Sequence, residues 1–297
     1  MHGFTDSSPW RAVLRRFAQS PVALAGLVLL IVILLLALFA PLLAPQNPYD
    51  LQHLDFMDSR LAPGADAASG ALHYWLGTDD QGRDMLSAIL YGLRISVAVG
   101  VVSTLIAAAI GLALGLLAGY AGGRLDNLIM RVVDMQLSFP PILVAIILLA
   151  LTGRGVDKII IALVAVQWAY YARTVRSVAL VERRKEYMEA ALLLGLSTPR
   201  KIFRHLLPNC LSPLIVVGAL QVGTAITLEA TLSFLGVGLP VTQPSLGLLI
   251  SNGFQYLLSG DYWISMFPGL ALVLTIIAIN LVADRLRDVL NPQMQLH

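Results

Sequence analysis

"VALAGLVLLIVILLLALFAPLLA", residues 22–44, is a run of twenty-three residues without a charge or a hydrogen-bonding side chain. At about 1.5 Å per helical residue it reaches roughly 34 Å, enough to cross a bilayer core of about 30 Å. Arg11, Arg15 and Arg16 precede it, as basic residues precede a secretory leader. A cleavable leader has an apolar region of only about 7–15 residues, so the longer run is read as an uncleaved anchor. The rest of the chain agrees. Hydrophobic residues fill 57% of 297 positions and charged residues 13%, against roughly 45–50% and 25% in soluble domains; the mean hydropathy is +0.77. The chain is therefore expected to be an all-α, polytopic membrane protein. A net charge of +2 gives no case for nucleic acid as a partner, the single Cys210 excludes an internal disulfide, and five scattered histidines give no dedicated metal site.

Further spans are expected at 95–119, 128–151, 157–181, 209–236 and 262–284. The fourth is the weakest, because its charge-free part runs only from Ile159 to Ala172. Six spans place both termini on one side. With that side inside, fifteen of the twenty basic residues are internal: Arg11, Arg15, Arg16, Arg124, Arg131, eight from Arg173 to Arg204, Arg285 and Arg287. The outer segments keep Arg60, Arg83, Arg94, Arg154 and Lys158, and the loop before span two holds seven aspartates. This bias orients the chain by the positive-inside rule. It divides into an inner segment 1–21, the first span, an outer loop 45–94, a five-span core 95–284 interrupted by an inner loop 182–208, and an inner tail 285–297.

Span two carries Ala107, Gly111, Gly115 and Gly119 at every fourth position, which lets helix backbones approach closely. Packing within the chain is the simpler explanation; a face toward another chain is the alternative. Pro140 and Pro141 should kink or break span three, as a structural feature or as part of a gate. Asp134 is expected to pair with Arg131 at i,i+3. Glu229, about 30 Å along a helix beginning at Pro208, either caps a turn before "LSFLGVG" or lines a solute path. In "GTDDQGRDMLS" (77–87), Thr78, Asp79 or Asp80 is expected to cap the next helix and Arg83 to pair with neighbouring polar groups; calcium is the alternative ligand, but the aspartate spacing misses the EF-hand pattern.

Chemistry of its own is not legible in this chain. There is no G-x-x-x-x-G-K-[ST] phosphate loop, no H-E-x-x-H and no G-x-S-x-G, and the span interiors lack the charge pairs expected of an ion-coupled carrier. The polar exception is "EYMEAALLLGLSTPRKIFRHLLPN", residues 186–209. Residues 186–194 suit a short helix ending at Gly195, and Thr198 and Pro199 suit the N-cap and first position of a second helix. Pro208 marks the junction with span five. An interfacial basic helix would explain part of this pattern.

Glu189-Ala190-Ala191, Gly195 and the later Leu207-Pro208 resemble the EAA loop of ABC importer permeases. "LGTDDQGRDMLSAILYGLRISVAVG" (76–100), "RVVDMQLSFPP" (131–141) and "LEATLSFLGVGLP" (228–240) resemble the C-type membrane subunit of dipeptide, oligopeptide and nickel permeases. The family pattern has isoleucine where this chain has His205. The resemblance implies a type I importer permease fold and a coupling helix docked on a cytoplasmic ATPase, with Glu186, Glu189, Ala190, Ala191, Gly195, Arg200, Lys201, His205, Leu207 and Pro208 as the coupling residues. It implies a second, homologous permease, two ATPase subunits that bind ATP and magnesium, a periplasmic or lipid-anchored binding protein, and a bacterial inner-membrane location. Pro140, Pro141 and Glu229 are the candidates for path or gate. The chain itself would be no enzyme. Dipeptides or short oligopeptides are the expected cargo, with nickel complexes or other small solutes as the alternative. An ATP-independent channel or carrier and a purely structural anchor are the rival classes.

Overall fold

A computed structural model describes residues 9–50 and 54–290; residues 1–8, 51–53 and 291–297, which include parts of the expected inner segment, outer loop and inner tail, lie outside them. The first elements are α1 (Pro9–Ala18), α2 (Pro21–Leu38) and α3 (Ala40–Leu43). Ser20 caps α2 by accepting from the Ala23 amide at 3.3 Å. The small face of α2, with Ala23, Gly26, Ile33 and Ala37, is buried, while Val28, Ile31, Val32 and Leu35 are exposed, as a helix in hydrocarbon requires. A Cβ on Gly26 would stand 2.6 Å from Leu281 Cβ in the last helix.

The outer loop folds as a small polar unit, with β1 (Ala65–Asp66) antiparallel to β2 (His73–Tyr74). Asp58 organises it, accepting from Tyr74 Oη at 2.8 Å and from the Ala68 amide at 2.7 Å. The helix α4 (Met85–Ala121) then starts ten residues before the expected span. Asp84, and not Thr78, Asp79 or Asp80, is its N-cap, accepting from the Ser87 amide at 2.8 Å. Arg83 pairs with Asp79 at 2.6 Å, both fully buried, and also donates to the Val241 carbonyl at 3.3 Å. Trp263 donates to the Thr78 carbonyl at 3.1 Å, so "GTDDQGRD" ties the outer unit to the starts of two long helices.

The third expected span is broken rather than kinked: α5 (Gly123–Ser138) and α6 (Pro141–Thr152) meet at 92°. Pro140 and Pro141 remove two successive amide donors and fix φ, and Pro141 also drives Pro140 into extended backbone at ψ 126°, which ends the helix there. Next come α7 (Val156–Glu182), α8 (Glu186–Leu193), α9 (Thr198–Arg200), a π-helical segment Lys201–Leu206, and α10 (Leu207–Phe234). The last three are one continuous 37-residue helix, so Pro208 is not a junction. Its missing amide leaves the Arg204 carbonyl without its i+4 donor; the Leu207 amide instead bonds Ile202 in the wider turn, and Asn209 Nδ2 serves the His205 carbonyl at 2.7 Å. A short helix between the expected fifth and sixth spans, α11 (Leu246–Phe254), precedes α12 (Trp263–Leu290).

Among the described residues, four helices are long and apolar enough to cross a membrane, namely α2, α4, the continuous α9–α10 and α12, or five if the bent α5–α6 pair is one span. The helix α7 does not qualify: Trp168, Tyr170, Tyr171, Arg173 and Arg176 lower its apolarity. It packs against α4, α5, α6 and α10, where protein rather than lipid is its neighbour, so uniform apolarity is not required of it. The α4–α7 seam explains the glycine spacing. A Cβ on Gly111 would lie 2.3 Å from Tyr171 Cβ, on Gly115 2.6 Å from the Ala172 carbonyl, and on Gly119 2.6 Å from Ala179 Cβ. The small stripe serves packing within the chain.

Candidate functional site

The 186–209 segment stands at the end of the bundle where α4 and α7 finish. Its helix α8 closes in a Schellman turn: the Gly195 amide bonds the Leu192 carbonyl at 3.0 Å and the Leu196 amide the Ala191 carbonyl at 3.2 Å, with Gly195 at φ +66°. One residue of the expected second helix is displaced: Ser197 occupies the N-cap without a side-chain bond, Thr198 is the first helical position and Pro199 the second. The local chemistry leaves a protruding hairpin. Met188 and Ala191 face the bundle, whereas Glu186, Glu189, Ala190, Gly195 and Arg200 are exposed. Leu192, Leu193 and Leu194 present 64%, 88% and 77% of their surface to solvent, and Phe203 67%. So continuous an apolar tip on a polar segment is a protein-docking feature.

Three ties connect this tip to the bundle. Glu182, buried at the end of α7, accepts from Lys185 Nζ at 2.6 Å and Tyr187 Oη at 2.7 Å. Burial, followed by that bond to Glu182, pushes the Tyr187 phenol up to about 12, so it stays a donor across the whole neutral range. Asn209 Nδ2 reaches Tyr187 Oη at 3.2 Å, joining α8 to α10. At the end of α4, Tyr120 donates to Thr198 Oγ1 at 3.5 Å, and its carbonyl accepts from Arg183 Nη1 at 2.8 Å. Lys201 is buried beside them and His205 half-buried, 6.4 Å from the Tyr187 ring; Leu207 is half-buried and Pro208 exposed. Sequence reasoning missed Tyr120, Tyr187 and Asn209, whose signal was an aromatic or amide group flanking the polar run.

A second set of polar groups sits farther along. Asp126 takes a bidentate bond from Arg176 at 2.5 and 2.7 Å. Asp134 pairs with Arg173 on α7 and not with Arg131. Glu229 is fully buried, accepting from Ser96 Oγ at 2.7 Å and Ser233 Oγ at 2.8 Å; it joins α10 to α4. Pro141 does line a groove of about 300 Å³, with Gly223, Thr224, Thr227, Leu228, Thr231, Ile276 and Asn280, whereas Pro140 caps α6.

Comparison with known proteins gives this geometry a context. Residues 111–296 match the family described as binding-protein-dependent transport system inner membrane component. Residues 8–63 match the N-terminal TM domain of oligopeptide transport permease C. The dipeptide transport system permease protein DppC of Escherichia coli is 41% identical over 94% of this chain and 91% of its own. The di/tripeptide transport system permease protein DppC of Pseudomonas aeruginosa is 37% identical over 97% and 93%. The oligopeptide transport system permease protein OppC of Bacillus subtilis is 34% identical over 97% and 91%. Among solved structures, a chain of the MetNI methionine ABC transporter in inward-facing conformations matches with TM-score 0.57 and 22% identity, covering 69% of this chain and 97% of that one; this likeness shows a fold shared with a chain of an ABC transporter. With several apolar helices long enough to cross a membrane, an exposed hairpin with an apolar tip and full-length similarity to peptide permeases, the chain belongs to the family of binding-protein-dependent transport system inner membrane components, in the branch carrying the permease C N-terminal domain.

Proposed function

We propose that this chain is one of two membrane subunits of a bacterial inner-membrane importer for peptides of two or three residues, driven by ATP that partner subunits bind and hydrolyse. The hairpin Glu186–Lys201 docks on a cytoplasmic ATPase subunit, a homologous permease completes the path, and an outer binding protein delivers the peptide. The observation that carries the docking role is the exposed tip Leu192–Leu194, held by Glu182 and Tyr120 to the ends of α7 and α4. A push on the tip therefore reaches both helices through short polar ties rather than through a loose loop. The peptide cargo rests on what the relatives' names say they transport. That Arg16 and Arg285 lie on one side of the membrane is supported by the contact of α1 with α12 and by Arg285 donating to the Arg16 carbonyl, and the excess of basic residues there supports the cytoplasm as that side.

Glu189→Lys reverses a charge on the exposed face of α8 without touching the bundle. In the assembled complex with its binding protein, it should lower peptide-stimulated ATP hydrolysis while the chain still inserts and assembles. Normal stimulation in that variant would defeat the docking role. Peptide flux through this chain alone in liposomes, without ATPase subunits, would favour a carrier instead.

A further inference from the structure

The face of α10 that carries Val217, Gln221, Thr224, Thr227 and Thr231 is open. It lines two adjoining grooves, one of about 300 Å³ walled by Pro141, Ile276 and Asn280, and one of about 400 Å³ walled by Leu137, Tyr170 and Arg173. This row of polar side chains lies within a membrane-spanning helix. Hydrocarbon offers such groups no partner: the threonines must be satisfied along their own helix, and the carboxamides of Gln221 and Asn280 mark the face as one turned to water, solute or protein. Their hydrogen-bonding state is specific. Each threonine hydroxyl donates back along the helix: Thr224 to the Leu220 carbonyl at 3.2 Å, Thr227 to Gly223 at 2.8 Å and Thr231 to Thr227 at 2.8 Å. The protons are spent, and the oxygens keep lone pairs for a donor in the groove. Gln221 Nε2 is buried and has no partner, and the exposed Asn280 amide stands opposite Gly223, where a Cβ would meet its Oδ1 at 3.3 Å.

We infer that this stripe is the peptide-contacting wall of the transport path in this subunit, and that it recognises the peptide backbone rather than side-chain charge. This rests on the importer reading above. A row of threonine acceptors facing the Asn280 amide offers both kinds of partner to the alternating N–H and C=O groups of an extended peptide. From Gln221 to Thr231 the stripe is roughly 15 Å long at about 1.5 Å per residue, and an extended chain advances about 3.3–3.6 Å per residue, so it accommodates about four residues. No charged side chain lines the 300 Å³ groove, and Arg173 in the neighbouring one is already paired with Asp134. Side-chain charge on the cargo therefore meets no fixed partner there.

The test uses the assembled transporter with its binding protein in liposomes. Cys210, the only cysteine of this chain and fully buried, leaves the parent chain without labelling when the label is read on this subunit separated from its partners. Thr227→Cys should react with a membrane-impermeant methanethiosulfonate, and saturating alanyl-alanine with ATP should slow that reaction about tenfold, as expected when peptide occupancy removes access. Thr227→Val, which keeps the shape and loses the acceptor, should lower alanyl-alanine uptake about fivefold through the loss of one hydrogen bond, and Thr227→Ser, which keeps the acceptor, should restore most of it. No labelling, labelling indifferent to alanyl-alanine, or parental uptake by Thr227→Val would overturn the inference. So would labelling that appears only when the second permease is omitted, which would make the stripe a helix interface. Absence of peptide-stimulated ATP hydrolysis in the parent would instead remove the importer reading, and the path with it.

Discussion

Gly195 offers the sharpest test of how the docking hairpin is built. Its φ of +66° lies in the left-handed region, and the Schellman turn it closes holds two bonds, Gly195 to Leu192 and Leu196 to Ala191. A Cβ at this position meets nothing within 4 Å, so in this chain the cost of a side chain is conformational and not steric. For an ordinary L-residue that cost is about 1–2 kcal/mol; asparagine tolerates the conformation better. Gly195→Ala should therefore shift the capped hairpin toward the open one by about five- to thirtyfold, and Gly195→Asn by distinctly less. Hydrogen exchange at the Gly195 and Leu196 amides reads the shift directly, since both lose their partners when the turn opens. In the assembled transporter a second contribution enters: if a partner surface covers the turn, asparagine should reduce peptide-stimulated ATP hydrolysis by more than its exchange rate explains. Exchange in Gly195→Ala equal to the parent, or alanine and asparagine behaving alike, would refute the conformational account.

Breaking the buried Asp79–Arg83 pair with Arg83→Met leaves a dry carboxylate and should cost about 3–5 kcal/mol, seen as a lower melting temperature in detergent, while Asp79→Leu combined with Arg83→Met should recover part of the loss. Gly111→Ala should destabilise by about 1–3 kcal/mol through overpacking against Tyr171 and the Trp168 carbonyl, whereas Gly218→Ala, with nothing within 4 Å of its Cβ, should gain about 0.5–1 kcal/mol from helix propensity; equal melting temperatures for the two would contradict the seam. Burial pushes the Asp84 carboxyl above its ordinary 3.8, and a raised folded value means that stability present below 3.8 is lost as pH rises through it. Asp84→Asn keeps the cap and should flatten that part of the slope in a melting-temperature series against pH; Asp80, shifted the same way by burial and then by Asp79, should leave a remainder.

What the sequence discloses and what it withholds divide by the range of the interaction. The helix–turn–helix of the hairpin was legible because a glycine stop and a proline start act within a turn or two of their own position; even so, the cap shifted from Thr198 to Ser197, since either residue suits it. The break at Pro140 was equally local. By contrast, Asp134 found Arg173, thirty-nine residues away, in place of Arg131 one turn away, because α5 and α7 cross at that level and a carboxylate pairs with whichever guanidinium the fold brings closest. Glu229 was ambiguous for the same reason: only the approach of α4 supplies Ser96. Hydropathy failed at α7 in an instructive way. The scale asks whether a helix suits lipid, but α7 is surrounded by α4, α5, α6 and α10, so its polar residues are absorbed by protein partners such as Asp126 and Asp134. The short α11 carried a local signal that was passed over, Ser245 capping Leu248 at 3.3 Å before an apolar run. Its position is nonetheless set by distant glycines, since Gly247 meets the Ala230 backbone and Gly92 lies against Leu246. In this chain, local chemistry chooses where helices begin and end, and glycines together with a few buried carboxylates choose which helices meet. The same division bears on transport: the hairpin's shape is encoded within 186–201, but its leverage on the path depends on Glu182 and Tyr120, so variants at those two positions should uncouple the tip from the bundle while leaving the Schellman turn intact.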